Sequence, residues 1–390
     1  MEEIIEKAAS ELQIDKSLWS LTKFGDIAIQ QKQSVDRDNT ELTRYVKGEH
    51  MGSEDLHLRE WGELTDEYLG PAFIRKFEKG DILYGSRRTY LRKVVIAPFK
   101  GITSNTTFVI KANEKRIDKR LLPFIMMSEG FTDNSIKNSK GSVNPYINWK
   151  DIANYEFLLP PKDQQAELAE LLWAMDEVIE REKALNEVTI NTKRSFFKKY
   201  RSATNYKPLS YFCSVSYGLG QPPPKDENGV PMIRATDISK GKIDTENFLR
   251  ISSKGIPKGR DVQLSKGDII IVRSGAYTGD LAMITKECEG AVAGYDLVIR
   301  SDERKINPIW LQEYLLEKEA QNYYNGESIR SAQPHLNSRQ VLETLIPYHS
   351  IEIQNRVSDY LKNFYKCLES SNRKIMVSKA LQKSLINQIF

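Results

Sequence analysis

Cysteine is scarce in this chain: Cys213, Cys288 and Cys367 are the only three among 390 residues. They lie too far apart for a Cys-x-x-Cys metal or redox motif, and their odd number argues against a disulfide framework. Histidine is hardly commoner, at four residues. His50 and His57 share a polar stretch with Glu49, Glu54 and Asp55, ordinary surroundings for surface histidines, so no metal is expected. No apolar run approaches the roughly 20 residues of a membrane span. The first residues, Met1-Glu2-Glu3-Ile4-Ile5-Glu6, are acidic where a secretory signal is basic. A cytoplasmic chain with no membrane partner is the expectation. P-loop, paired-histidine and nucleophile-elbow motifs are missing. So is a charge imbalance: 57 Lys and Arg against 53 Asp and Glu leave +4, and only local clusters can argue for a polyanionic partner.

What the chain does have is a repeat. Lys79-Gly80-Asp81-Ile82-Leu83 recurs as Lys266-Gly267-Asp268-Ile269-Ile270, at an offset of 187. Gly101 then matches Gly290, and Phe108-Val109-Ile110 matches Leu297-Val298-Ile299, at an offset of 189. Ser142-Val143-Asn144-Pro145-Tyr146-Ile147-Asn148 corresponds to Ser331-Ala332-Gln333-Pro334-His335-Leu336-Asn337. Each copy leaves through an apolar-proline segment, Leu158-Leu159-Pro160-Pro161 or Leu345-Ile346-Pro347, and enters a long amphipathic stretch. Matches in one order at nearly one spacing indicate a duplicated unit.

Within each copy, short β-rich runs at 81–84, 94–97, 107–110, 268–272 and 297–300 alternate with Gly, Pro, Asn and Ser, while 118–128 and 308–324 read as helical. This predicts an α+β domain with a small mixed sheet. After Pro161, apolar residues recur at Leu168, Leu171, Leu172, Met175, Val178, Ile179, Leu185 and Val188. After Pro347 they recur at Ile353, Val357, Leu361, Phe364, Leu368, Val377, Leu381, Leu385 and Ile389. Spacings of three and four mark amphipathic helices, each about 55 Å long at 1.5 Å per residue. Helices of that length suggest a coiled coil, with Leu168, Leu172, Met175, Ile179 and Leu185 facing Val357, Leu361, Phe364, Leu368, Leu381 and Leu385. The second can cover the first only by running back, so the pair is expected to be antiparallel in a pseudo-two-fold molecule. The expected division is an N-terminal amphipathic helix at 1–18, a first domain at 19–160, a first spacer helix at 161–203, a second domain at 204–347 and a second spacer helix at 348–390.

The proline exit and glutamine-bearing helix start, Pro160-Pro161-Lys162-Asp163-Gln164-Gln165, and the entry phrase Trp19-Ser20-Leu21-Thr22-Lys23-Phe24-Gly25-Asp26-Ile27 resemble the specificity subunit of type I restriction-modification enzymes. The resemblance runs from about Trp19 to Phe390. The second copy departs from it, with Tyr348 after Pro347 and Gln354 where the glutamine is expected, which loosens the helix-start motif. The resemblance implies a non-catalytic subunit with two target-recognition domains, each reading half of a split double-stranded DNA site. It further implies that the helices set the spacer and dock two methyltransferase subunits. Adenine methylation and ATP-driven cleavage would belong to methyltransferase and restriction-translocase partners. S-adenosylmethionine, ATP and Mg would be bound there, leaving no cofactor on this chain.

The residues themselves offer contact candidates. Arg75, Lys76, Lys79, Arg87, Arg88, Arg92 and Lys93 cluster with Tyr84 and Tyr90 against only Glu78 and Asp81. Such an edge suits phosphate and base contact, and suits equally a solvated strand edge protected by charge. Arg273, Ser274 and Tyr277 stand at the matching place in the second copy. Arginine can bond two guanine acceptors in the major groove, and asparagine or glutamine can do so with adenine. Lys137, Asn138, Lys140, Asn144 and Tyr146, with Arg330, Gln333, His335 and Asn337, are therefore candidates, although Pro and Asn in these loops also suit turns and caps. Gln30, Gln31, Lys32, Gln33 and Arg37 form a third polar cluster, expected as a loop. Asn144-Pro145-Tyr146 is similar to the Asn-Pro-Pro-Tyr signature of amino-methyltransferases but lacks its second proline. Tyr217-Gly218-Leu219-Gly220 runs into prolines rather than a helix, so catalysis is not expected. Two alternatives stay open: a duplicated coiled-coil scaffold binding only proteins, and a specificity subunit of a related methylation system without a type I nuclease.

Overall fold

The computed structural model describes residues 14–36, 39–65, 68–202, 205–246, 248–257, 262–329 and 335–390. The chain divides into two compact units, Met1–Leu185 with Ser371–Phe390, and Asn186–Ser370. Both boundaries fall inside long helices, so each unit combines a globular part with a portion of each helix.

In unit 1, β1 (Ala28–Gln31), β2 (Ile82–Gly85), β3 (Val94–Ile96) and β4 (Thr107–Ala112) form an antiparallel sheet in the order β1-β4-β2-β3. The turn into β2 needs Gly80 at φ +89°. The buried Asp81 carboxylate closes that turn by accepting the Glu78 amide at 2.8 Å. Helix α1 (Glu129–Lys137) is capped by Ser128, whose hydroxyl accepts the Phe131 amide at 3.2 Å. The same residue ends the helix before it, Leu122–Met127, which begins later than the pattern at 118–128 suggests. Helix α2 spans Lys162–Lys198.

Unit 2 repeats the plan. Its strands β5 (Cys213–Tyr217), β6 (Ile269–Ile271), β7 (Leu281–Met283) and β8 (Leu297–Ser301) order as β5-β8-β6-β7. Ile269 faces Ile299 as Ile82 faces Ile110. Gly267 takes φ +94°, and Asp268 accepts the Ser265 amide at 2.9 Å, as Asp81 does in unit 1. The helices that follow include α3 (Pro308–Leu315), α4 (Lys318–Ile329) and α5 (Ile351–Ile389), with a short helix, Ser338–Leu342, before α5. Each unit also carries a second, mixed sheet where one sheet was expected. It contains the parallel pair Tyr45 with Ile102 in unit 1 and Met232 with Val292 in unit 2. Several of its strands are only two or three residues long, such as Arg44–Val46, too short to show an alternating pattern.

The long helices run antiparallel in both units. In unit 1, partners climb α2 from Leu172 to Glu182 as they descend α5 from Gln382 to Ser371. In unit 2, Lys193 lies over the Tyr365 ring and Phe196 packs on Tyr360. The stripes do more than bury each other. Leu172, Leu385, Ile386 and Ile389 join the unit 1 core of Phe24, Ile110, Phe124 and Phe131. Phe197, Val357 and Leu361 join the unit 2 core of Ile269, Ile299, Trp310 and Tyr324. Ile179 is buried, and Leu168, Met175, Phe364, Leu368 and Leu381 are half-buried. Leu185 is a departure from the expected seam, remaining 44% exposed.

One buried glutamine fastens each helix start to its domain. Gln165 accepts the Asp118 amide at 2.7 Å and donates to the carbonyls of Pro160 at 2.8 Å and Arg116 at 3.4 Å. Gln354 accepts the Asn307 amide at 2.9 Å and donates to His349 at 2.9 Å and Lys305 at 3.3 Å. The motif that looked loosened in the second copy is therefore reproduced bond for bond.

Two expectations change. The N-terminal helix at 1–18 falls mostly outside the described residues, and 14–18 are irregular with a turn rather than helical. Gln30 and Gln31 lie in β1, not in a loop. They pair with Ile110 and Val109 on an edge strand, where polar side chains are tolerated because one edge meets water.

Candidate nucleic-acid interface

The turns that follow β2 and β6 share one backbone. Arg88 and Arg92 take φ +49° and +48°, and Gly275 and Gly279 take +89° and +92° at the matching places. Between them Tyr90 and Tyr277 project outward, 53% and 52% exposed. The loops singled out by the repeat fold against these turns. Arg87 bridges Tyr146, and Ser274 bridges His335. The Ile147 amide reaches the Ser86 carbonyl at 2.9 Å, and the Leu336 amide reaches that of Arg273 at 2.7 Å. The Arg88 amide adds a bond to the Pro145 carbonyl at 2.7 Å. Two candidate clusters far apart in sequence thus form one surface in each unit.

In unit 1 the basic candidates separate into free and committed groups. Arg87 and Arg88 are exposed, and among the described residues neither side chain has a hydrogen bond or ion pair. Lys137, Asn144 and Tyr146 are exposed beside them. Lys140 is exposed, with only a 3.9 Å approach to Asp151. The others are occupied. Arg75 donates to the Lys32 carbonyl and lies 3.4 Å from Ser34, holding the segment after β1. Lys76 pairs with Glu78 at 2.8 Å. Arg92 is locked by Glu54 at 2.8 Å and Glu129 at 3.2 Å. Lys93 donates to the Gly48 carbonyl. Asn138 bonds back to Asn134 of its own helix. Lys32 is exposed at the end of β1.

In unit 2 the geometry centres on Arg273. Its guanidinium lies over the rings of Tyr217 at 4.9 Å and Tyr295 at 4.4 Å. Its Nη2 donates to His335 Nε2 at 2.7 Å. That bond requires neutral His335, whose pKa is lowered by partial burial and then by the neighbouring guanidinium. Beneath the turn, Asp296 accepts the Arg273 amide at 3.2 Å, and burial pushes its carboxyl up to about 6. The Tyr217 hydroxyl accepts from the amide and hydroxyl of Ser338, both at 3.3 Å. Asn337 serves as a helix cap, accepting the Gln340 amide at 3.0 Å, so the capping reading holds for that residue. Arg37, Arg330 and Gln333 lie outside the described residues. Tyr295 was missed by sequence reading, since it stands alone between Gly294 and Asp296. Tyr217 was noted only as part of a glycine motif.

Asp55, His57 and Glu180 bring ligand-type atoms within 4.8 Å of one another. Their charges are already engaged: Arg59 bonds Asp55 at 2.9 Å and Glu180 at 2.7 Å, and Lys183 bonds Glu180 at 2.8 Å. His57 meets Asp176 at 2.7 Å, which raises its pKa. The cluster is a charge network tying residues 55–59 to α2. Among the described residues no helix is long and apolar enough to cross a membrane.

The profile of the family described as type I restriction modification DNA specificity domain matches residues 16–189 and 220–377. The EcoDI specificity subunit of Escherichia coli is 29% identical over 47% of this chain and 41% of its own length. The MjaVIII specificity subunit of Methanocaldococcus jannaschii is 23% identical over 94% of this chain and 90% of its own. The crystal structure of a type I restriction-modification S subunit from M. genitalium superimposes with a TM-score of 0.64 at 14% identity. It covers 97% of this chain and 98% of that one. A chain from a structural study of type I R-M complex assembly and conformational transition gives a TM-score of 0.52 at 16% identity, with coverages of 96% and 97%.

Proposed function

The chain belongs to the type I restriction-modification DNA specificity family, and we propose that it reads a two-part DNA sequence for enzymatic partners, one half-site per unit. The observation that carries this is the duplicated surface. In both units the turn after the second strand, bearing an exposed tyrosine, is pinned against the loop before the long helix. Its backbone is alike in the two units while its polar side chains differ: Ser86, Arg87 and Arg88 in one, Arg273, Ser274 and Gly275 in the other. A shared frame with different readers suits two domains that recognise different bases. Free Arg87 and Arg88 supply phosphate or base contacts in unit 1.

In this reading the chain is non-catalytic and acts in the cytoplasm. Two methyltransferase subunits dock on it, restriction-translocase subunits join them, and S-adenosylmethionine, ATP and Mg are held by those partners. The long helices set the spacer. The test measures binding of the complex to duplexes carrying either half-site altered, at several salt concentrations. Arg87→Ala with Arg88→Ala is expected to relax reading of one half-site only and to flatten the salt dependence of binding by about one to two phosphate contacts. Equal loss at both half-sites, or binding indifferent to sequence and salt, would refute modular readout.

A further inference from the structure

We propose that Arg273 makes guanine an obligatory base in the half-site read by unit 2, and that Tyr217, Tyr295 and His335 hold its guanidinium in the reading plane. This assignment rests on the recognition reading above and adds a base and its reader to it.

The argument begins with the cost of aiming an arginine. A free arginine side chain loses rotamer entropy when it is fixed on a base. Here most of that loss is already taken in the unbound chain. The Arg273 guanidinium lies over two tyrosine rings, 4.9 Å from the centroid of Tyr217 and 4.4 Å from that of Tyr295. Its rotation about the remaining axis is set by the 2.7 Å bond from Nη2 to His335. Nε is buried, so only the terminal nitrogens can reach outward. These carry four hydrogens, of which His335 takes one. What remains is a donor edge beside the exposed Tyr295 and Tyr217. Guanine presents two acceptors, O6 and N7, to such an edge in the major groove, whereas adenine presents one acceptor beside a donor and cannot take both bonds.

The clamp is peculiar to unit 2. The turn offset places Ser86 at the position of Arg273, and Ser86 is buried with its hydroxyl bonded to the Thr106 carbonyl. Strand pairing sets Gln31 opposite Val109 as Ser216 is set opposite Val298, which puts Lys32 where Tyr217 stands. Thr106 takes the place of Tyr295. Unit 1 has neither the arginine nor the rings at these positions.

The experiment incubates the full chain, assembled with its methyltransferase partner, with randomised duplexes and reads base frequencies in the bound fraction. The wild type is expected to demand guanine at one position of the unit 2 half-site. Arg273→Ala is expected to lower that preference roughly 10-fold or more, with all other positions unchanged. A second arm leaves the protein intact and replaces that guanine by 7-deazaguanine, which lacks the N7 acceptor. Wild-type affinity should fall, and Arg273→Ala affinity should not respond. The assignment is overturned if Arg273→Ala keeps every guanine preference or loses affinity evenly across all sequences, or if 7-deazaguanine leaves wild-type binding untouched. A wild-type complex with no sequence preference at all would overturn the recognition reading itself.

Discussion

Arg88 adopts the left-handed conformation, φ +49° and ψ +56°, at the place where unit 2 has Gly275. That backbone costs an L-residue about 1–2 kcal/mol that glycine does not bear. Arg92 carries the same strain but is held by Glu54 and Glu129, whereas Arg88 has no such partner among the described residues. Under the proposed recognition role, strain kept at an exposed, unpaired arginine is accounted for by DNA contact rather than by stability. Arg88→Gly should therefore stabilise unit 1 by about 1 kcal/mol in denaturant titration while weakening DNA binding; a stability loss would contradict the strain argument. At this scale the sequence announced the clusters but not their division. Arg75, Lys76, Arg87 and Arg88 look alike as letters, and only their neighbours commit the first pair to Lys32, Ser34 and Glu78. Tyr295 was illegible for the same reason: its partner Arg273 lies on another strand's exit.

Among the elements, the long helices are anchored by single side chains rather than by their stripes alone. Gln165 and Gln354 are buried and satisfy backbone groups that helix starts and loops leave open. Replacing either by alanine leaves the backbone amide of Asp118 or Asn307 without its partner, and removes the donor to the Pro160 or His349 carbonyl. Each substitution should cost about 1–3 kcal/mol, read as a lower denaturation midpoint, and the effect should be similar for the two. A marked difference between them would show that the shared bonding does not carry equal weight. The long helices were legible from apolar spacing, as were β2, β3, β4, β6 and β8, whereas β1 was expected as a loop and β5 and β7 were not foreseen. Short strands such as Arg44–Val46 were not, because two or three residues hold no period.

For the whole molecule, the proposed division of labour separates base reading from spacing. Deleting two turns, roughly seven residues, from both α2 and α5 at matched positions should change the spacer length preferred by the complex and leave the bases of both half-sites alone. Binding to a series of sites with varied spacers checks this, and a changed half-site with an unchanged spacer would count against the ruler role. By itself, the amino-acid sequence determined the duplication, the alternation of a domain with a long helix and the antiparallel return of the second helix. Periodicity and repeat order survive in a linear string, and a chain that covers its own first helix has one direction in which to run. Tertiary structure alone decided which arginines are spent on ion pairs and carbonyls, that the helix stripes are shared with the domain cores, and that Arg273 lies over two tyrosine rings. Each of these depends on distances between residues remote in sequence, which side-chain packing sets and local pattern does not encode.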